Sequence, residues 1–164
     1  MENALKQLLT FSMKIFLIIL IISLCLQSTY AQSKKDVQDI RKTIILFQED
    51  FNEGSFRNSK EYTTNDWIHI NPGGGISVSR DSVLKEVRNI HQTALKGMSM
   101  TISNSKIKFV APGIAIANVV HNISIYEMPK GVIHENERQR KTYLFIKRKG
   151  KWLLTLDQNT IIQK

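Results

Sequence analysis

The chain has 164 residues, of which 42% are hydrophobic and 23% charged, with a formal charge of +9 and a single cysteine. This composition suits one globular domain with at most a short appendage, and it excludes wholesale disorder and collagen-like repetition. One cysteine excludes an internal disulfide framework and the multi-cysteine zinc sites. The positive charge leaves three readings open: a nucleic-acid partner, a membrane surface, or solubility alone.

Ile15 to Leu26 reads IFLIILIISLCL, with only Ser23 interrupting the apolar run. Lys6 and Lys14 precede it, and Thr29-Tyr30-Ala31 follows. A basic start, a short apolar stretch and small residues at the end form the pattern of a secretory signal peptide. Cleavage is expected after Ala31. An uncleaved anchor is the weaker alternative, because the run falls short of the ~20 residues that span a bilayer. Lipid attachment through Cys25 is weaker still, because Leu24 before it is not small. Residues 1–31 are thus read as signal and 32–164 as the domain, exported to the periplasm or the extracellular medium. A membrane would be met only through an uncleaved signal. Cleavage would also remove the only cysteine.

From Val37 the apolar residues recur at helical spacing: Val37, Ile40, Ile44, Phe47 and Phe51. That pattern predicts a long amphipathic helix over 36–53, closed by Gly54. A short helix is expected at 55–62. Asp66 to Ile70 alternates as a strand, with Trp67, His69 and Asn71 on one face. Asn71-Pro72-Gly73-Gly74-Gly75 is a turn by composition. Ile76–Val78 is read as a short strand. A third helix, capped by Ser79 or Asp81, is expected to run to Leu95. From Met98 the period changes to two, giving strands over 98–110, 114–127, 138–148 and 152–162, the last two joined by a Lys149-Gly150 hairpin. Helices followed by long antiparallel strands indicate an α+β domain. The expected form is a cone-shaped curved antiparallel sheet wrapped around the long N-terminal helix, with two further helices.

These segments resemble the nuclear transport factor 2-like superfamily, within its SnoaL-like branch and close to the SgcJ/EcaC type. Asn52-Glu53-Gly54 is similar to an N-x-G-D helix ending. Trp67-Ile68-His69-Ile70-Asn71-Pro72-Gly73-Gly74 is similar to a strand running into P-x-G. Ser79-Arg80-Asp81-Ser82-Val83 resembles G-R-x-A-I with the glycine replaced. Arg140-Lys141-Thr142 resembles R-x-T, and Lys149-Gly150-Lys151-Trp152 with Gln158-Asn159-Thr160 resembles D-G-x-W and a closing Q-N-T. The resemblance implies a homodimer formed by sheet packing. It does not imply an activity, because this fold hosts isomerases, cyclases, dehydratases and assembly modules. The ketosteroid isomerase branch has an aspartate base where this chain has Asn71. Its oxyanion tyrosine corresponds to Phe47 and its second oxyanion acid to Thr142. That isomerase chemistry is therefore not expected, since it needs a proton acceptor and an oxyanion donor.

Trp67, His69 and Asn71 are candidates for a pocket wall, with His69 a possible general base. His121 falls on an apolar strand face with Ala115, Ala117 and Val119, where a histidine is more commonly a core residue; a pair with Asp157 would be the minimal acid/base unit. Asn118 is a pocket candidate as a buried amide. Arg140 and Gln158 lie where related association domains line their pocket, and Arg140 is expected to point inward and bind a carboxylate. The four histidines have no metal-ligand spacing, and neither a metal nor a cofactor is expected. The basic residues around the last hairpin read as a solvated tip, with no nucleic acid expected. The leading expectation is an exported domain that binds a small, partly apolar ligand. The alternatives are a dimeric interaction module without a ligand, and a lyase- or isomerase-like enzyme using a pocket histidine.

Overall fold

The computed structural model describes residues 34–163. The expected signal peptide and the cleavage point after Ala31 lie outside the described residues. The chain divides into residues 1–38 and 39–164, and of the first unit only 34–38 are described, as helix. Among the described residues no helix is long and apolar enough to cross a membrane.

Residues 34–53 are helical (α1), in line with the periodicity. Ile40, Ile44, Phe47 and Phe51 are buried, which is the face their spacing predicts. Gly54 follows with φ 67°, the left-handed conformation in which glycine commonly ends a helix. The second helix is shorter than expected, α2 at Ser59–Tyr62. Buried Asp50 of α1 explains how the intervening residues are held. It accepts hydrogen bonds from the Asn58 amide N–H, the Asn58 side chain and the Tyr62 hydroxyl.

The six-stranded sheet contains β1 (Thr63–Ile70), β2 (Ile76–Val78), β3 (Met100–Ala111), β4 (Ile114–Ile123), β7 (Arg138–Arg148) and β8 (Lys151–Ile161). Its order is β2-β1-β8-β7-β4-β3. The sheet is antiparallel except at β1 and β8, which run parallel. The expected strand over 114–127 stops at Ile123. Tyr126–Glu127 (β5) instead pairs with Ile133–His134 (β6), inside the stretch that composition marked as a loop. The α+β class, a helix packed on a curved, predominantly antiparallel sheet, agrees with the expectation.

Helix α3 spans Arg80–Gln92 and ends before the expected Leu95. Ser79 caps it, its hydroxyl accepting from the Ser82 N–H at 3.3 Å. Ser79 sits at φ 83° and ψ 145°, a region occupied almost only by glycine. This accounts for the glycine that the resembled pattern carries here. Arg80 then ties the start of α3 to β1 by donating to the Thr63 hydroxyl at 2.7 Å and to the Thr63 carbonyl.

Strand β3 lies at the sheet edge, and its unpaired backbone groups need partners. Asn52 Oδ1 accepts from Met100 N and Gln48 Oε1 from Ile102 N, both at 2.8 Å. Side chains of α1 thereby cover the beginning of the edge. The ladder registers give the sheet two distinct faces. On the inner face His69, Asp157, Tyr143 and Ala117 stand in one row. One residue along each strand, Ile70, Gln158, Thr142 and Asn118 form the corresponding outer row.

Candidate functional site

The inner row carries an ionised centre. Asp157 is fully buried, and a buried carboxylate is costly unless it is paired and hydrogen-bonded. Trp67 Nε1 donates to Oδ1 at 2.8 Å. His69 Nδ1 lies 2.9 Å and Lys141 Nζ 3.1 Å from Oδ2. Burial alone would raise the Asp157 pKa. The charges of Lys141 and His69, with the hydrogen bonds from both, outweigh it and hold the carboxyl below its ordinary range. An ionised carboxylate only accepts. His69 Nδ1 therefore carries a proton, and when the ring is neutral Nε2 presents a lone pair. Nε2 has no partner among the described residues.

His69 and Lys141 face a cavity of about 300 Å³ whose lining is otherwise mainly apolar, including Phe47, Phe51, Trp67, Val87, Ile90 and Leu95. The helices supply one wall and the inner face of the sheet the other. Phe47, Phe51 and Trp67 are large enough to have filled the interior, yet they leave space beside His69 and Lys141. Lys141 Nζ sits 4.8 Å from the centroid of the Phe47 ring, a cation–π contact in a largely dry setting. Two N–H donors of Lys141 remain beyond the one given to Asp157. Chemically, the arrangement offers a base at His69 Nε2 and a cation at Lys141, side by side on Asp157, with an apolar cavity lining around them.

The sequence candidates divide between the two faces. Trp67, His69 and Asn71 line the cavity. Asn71 spends its polar atoms on the turn, however. Its Oδ1 accepts from Gly73 N and Gly75 N at 3.0 and 2.9 Å, and its Nδ2 donates to Glu86 at 3.1 Å. A Cβ at Gly75 would come within 2.5 Å of Asn71 Nδ2, so a side chain there would push the Asn71 amide out of the turn. Asn71 thus holds the turn where the isomerase branch keeps its base. Glu86 is also bound by Ser77. Burial would raise its pKa, and the Ser77 and Asn71 hydrogen bonds lower it further than that.

Arg140, expected to point inward, is exposed. Its register partners Thr160 and Val120 lie with it on the outer face. The next residue, Lys141, points inward instead, because side chains alternate along a strand. Gln158 and Asn118 are likewise exposed, and Asn118 accepts from Thr142 on that face at 3.2 Å. The buried-amide expectation for Asn118 and the oxyanion-acid alignment at Thr142 are both corrected by this placement. His121 does point inward and is fully buried, but it bonds Tyr143 at 3.2 Å rather than Asp157, and it does not line the cavity. The His–carboxylate pair is made by His69.

Lys141, Gln139 and Asn159 were missed as inward residues. The signal that could have found them is the alternation with Tyr143 and Phe145 along β7. Among the described residues no group of three His, Cys, Asp or Glu side chains is placed to hold a metal.

No protein-family model matches the sequence, and no curated protein matches it. Solved structures do resemble the fold. An uncharacterised protein with a cystatin-like fold from Caulobacter vibrioides superposes with a TM-score of 0.72 at 23% identity, covering 77% of this chain and 89% of that one. A nuclear transport factor 2-like protein from Novosphingobium aromaticivorans gives 0.69 at 13% identity, covering 83% and 88%. Hexachlorocyclohexane dehydrochlorinase LinA-type3 from Novosphingobium barchaimii gives 0.69 at 12% identity, covering 80% and 89%. The fold is therefore the nuclear transport factor 2-like, cystatin-like fold, as the sequence motifs led one to expect.

Proposed function

We propose that this domain binds a small, mainly apolar molecule in the cavity and moves a proton on it, with His69 as the base. The carrying observation is His69 Nδ1 at 2.9 Å from buried Asp157, which orients the ring with its lone pair free at Nε2. In the reaction envisaged, Nε2 takes a proton from a carbon next to a carbonyl group. The C–H electron pair moves toward the carbonyl oxygen, and the Lys141 ammonium stabilises the developing oxyanion. Isomerisation or elimination then follows from the enolate. One structural neighbour is a dehydrochlorinase, which fits this reaction class without assigning a substrate. Export, proposed from the sequence pattern of residues 1–31, would place the activity outside the cytoplasm.

The test is α-proton exchange in D₂O, followed by NMR on small ketones such as 2-tetralone. The wild type is expected to accelerate exchange over buffer, and His69→Gln to lose about 100-fold of that acceleration. His121→Gln should leave it unchanged. Exchange no faster than buffer would remove the base role and leave binding alone.

A second reading, a dimeric module without a ligand, draws on one feature of the outer face. Val78, Ile68, Leu156, Leu144 and Ile116 register side by side across five strands. None of the five is fully buried, and Val78 is 60% exposed. A contiguous apolar stripe of this kind suits sheet packing against a second copy. Sedimentation showing a dimer that Leu144→Glu dissociates would support it, and a monomeric wild type would count against it. The two readings are compatible, since they use opposite faces.

A further inference from the structure

One wall of the cavity is a chain of hydrogen bonds whose direction is fixed from its far end. Tyr126, Gln139 and Asn159 all line the cavity. Glu137 accepts from the Tyr126 hydroxyl at 2.9 Å and from Gln139 Nε2. Gln139 Oε1 in turn accepts from Asn159 Nδ2. A carboxylate has no proton to give, so Gln139 must present its NH₂ to Glu137 and its carbonyl to Asn159. Asn159 must then present its own NH₂ to Gln139. The atom left over is Asn159 Oδ1, which is buried and has no partner among the described residues. His134 Nδ1 faces Glu137 at 3.4 Å, while His134 Nε2 lies 2.7 Å from the Met128 carbonyl. The Met128 carbonyl accepts from Nε2–H, and the Nδ1 approach to Glu137 is an ion-pair distance with no hydrogen bond, so the Tyr126 and Gln139 bonds set the direction of the chain. The Tyr126 hydroxyl stays protonated, its pKa pushed up to about 12 by burial and by the bond to Glu137.

Asn159 stands directly across the β7–β8 ladder from Lys141, and such paired side chains leave the sheet ~5 Å apart. The wall thus offers a buried acceptor next to a cation. We propose that the ligand carries a hydrogen-bond donor, a hydroxyl group, for Asn159 Oδ1, on the carbon beside the carbonyl or carboxylate oxygen that meets Lys141. Glu137 is the residue that sets this preference, acting through Gln139 as a positioning residue. An ether at the same position would put two acceptors face to face. The inference rests on the reading of the cavity as a ligand site, and it narrows the ligand to a mainly apolar hydroxy-carbonyl or hydroxy-carboxylate compound.

Three probes of nearly equal size test it by calorimetry on the purified chain: mandelate, α-methoxyphenylacetate and phenylacetate. The wild type is expected to bind mandelate roughly tenfold more tightly than the methyl ether, because the ether leaves a buried acceptor unpaired. In Glu137→Gln the amide can donate as well as accept, the chain can reverse, and the preference should fall to about threefold or less. Asn159→Leu removes the acceptor at similar volume and should bind mandelate and the ether alike. Thermal denaturation confirms that each variant is folded. A wild type that binds the ether as well as mandelate overturns the proposal, as does a preference that persists in both variants. If none of the three probes binds the wild type, the cavity reading itself has failed, which is a different result.

Discussion

His69 and His121 are the same residue type on the same face of the same sheet, yet they occupy opposite chemical situations. His69 pairs with a carboxylate, and its other nitrogen opens onto a cavity. His121 pairs with the Tyr143 hydroxyl, its Nδ1 is buried without a partner among the described residues, and no part of it lines the cavity. Burial, helped by the Lys141 charge, lowers the His121 pKa to about 3. Lys141 serves both sites, anchoring Asp157 beside one ring and repelling a proton from the other. Burial alone does not make a histidine reactive; a fixed acceptor behind the ring and space in front of it do.

The comparison can be broken most forcefully at Asp157. Asp157→Asn removes the charge that Lys141 and His69 share and leaves a buried ammonium unpaired. The expected loss is about 3–5 kcal/mol of stability in urea denaturation. Lys141→Met combined with Asp157→Leu should recover much of it, because the paired deletion leaves no orphaned charge. A single Asp157→Asn as stable as the wild type would show that the centre is not an ion pair.

Acid separates the two regions next. The folded pKa of His121 lies below its ordinary value of 6.5, so the unfolded chain binds the proton more readily. Stability should therefore fall as pH drops below 6.5, approaching about 1.4 kcal/mol per pH unit, and level off near the folded value. His121→Leu should flatten this part of the profile. Asp157 also has a depressed pKa, from an ordinary value of 3.8. Its contribution is complete above that value and is lost only as the pH falls further. His91, its pKa also lowered by burial, adds to the loss that begins near pH 6.5, so the part that disappears in His121→Leu is the part assigned to His121.

A smaller effect is expected at Ser79, where the backbone adopts a conformation suited to glycine. Ser79→Gly should relieve strain worth ~1–3 kcal/mol while giving up a few tenths from the cap, for a net gain of about 1 kcal/mol. The smallest effects belong on the outer face. Arg140→Ala and Gln158→Ala are each expected to change stability by less than ~0.5 kcal/mol, and to leave probe binding unaltered. Lys141→Met, one position along, should weaken it.

That one-residue offset also explains what could be read in the sequence. Periodicity located α1, α3 and the four long strands, because each buries one face over many residues. Trp67, His69 and Asn71 were legible because alternation within a single strand sets their common side. Arg140 and Lys141 are adjacent cations, and composition does not say which of them turns inward. The alternation with Tyr143 and Phe145 does, because both of those rings are fully buried. The His69–Asp157 contact joins residues 88 positions apart through a parallel pairing that no local pattern encodes. The hairpin of Tyr126–Glu127 with Ile133–His134 was hidden for a different reason, since two-residue strands leave no periodicity to detect.

The measurement closest to the central claim is a long-range ¹H–¹⁵N spectrum of the imidazole rings above neutral pH, assigned with His69→Gln. His69 is expected as the tautomer protonated at Nδ1, with a pyridine-like Nε2, and Asp157→Asn should perturb that signal strongly while leaving His121 comparatively unaffected. A His69 ring protonated at Nε2, or one indifferent to the loss of Asp157, would contradict the account.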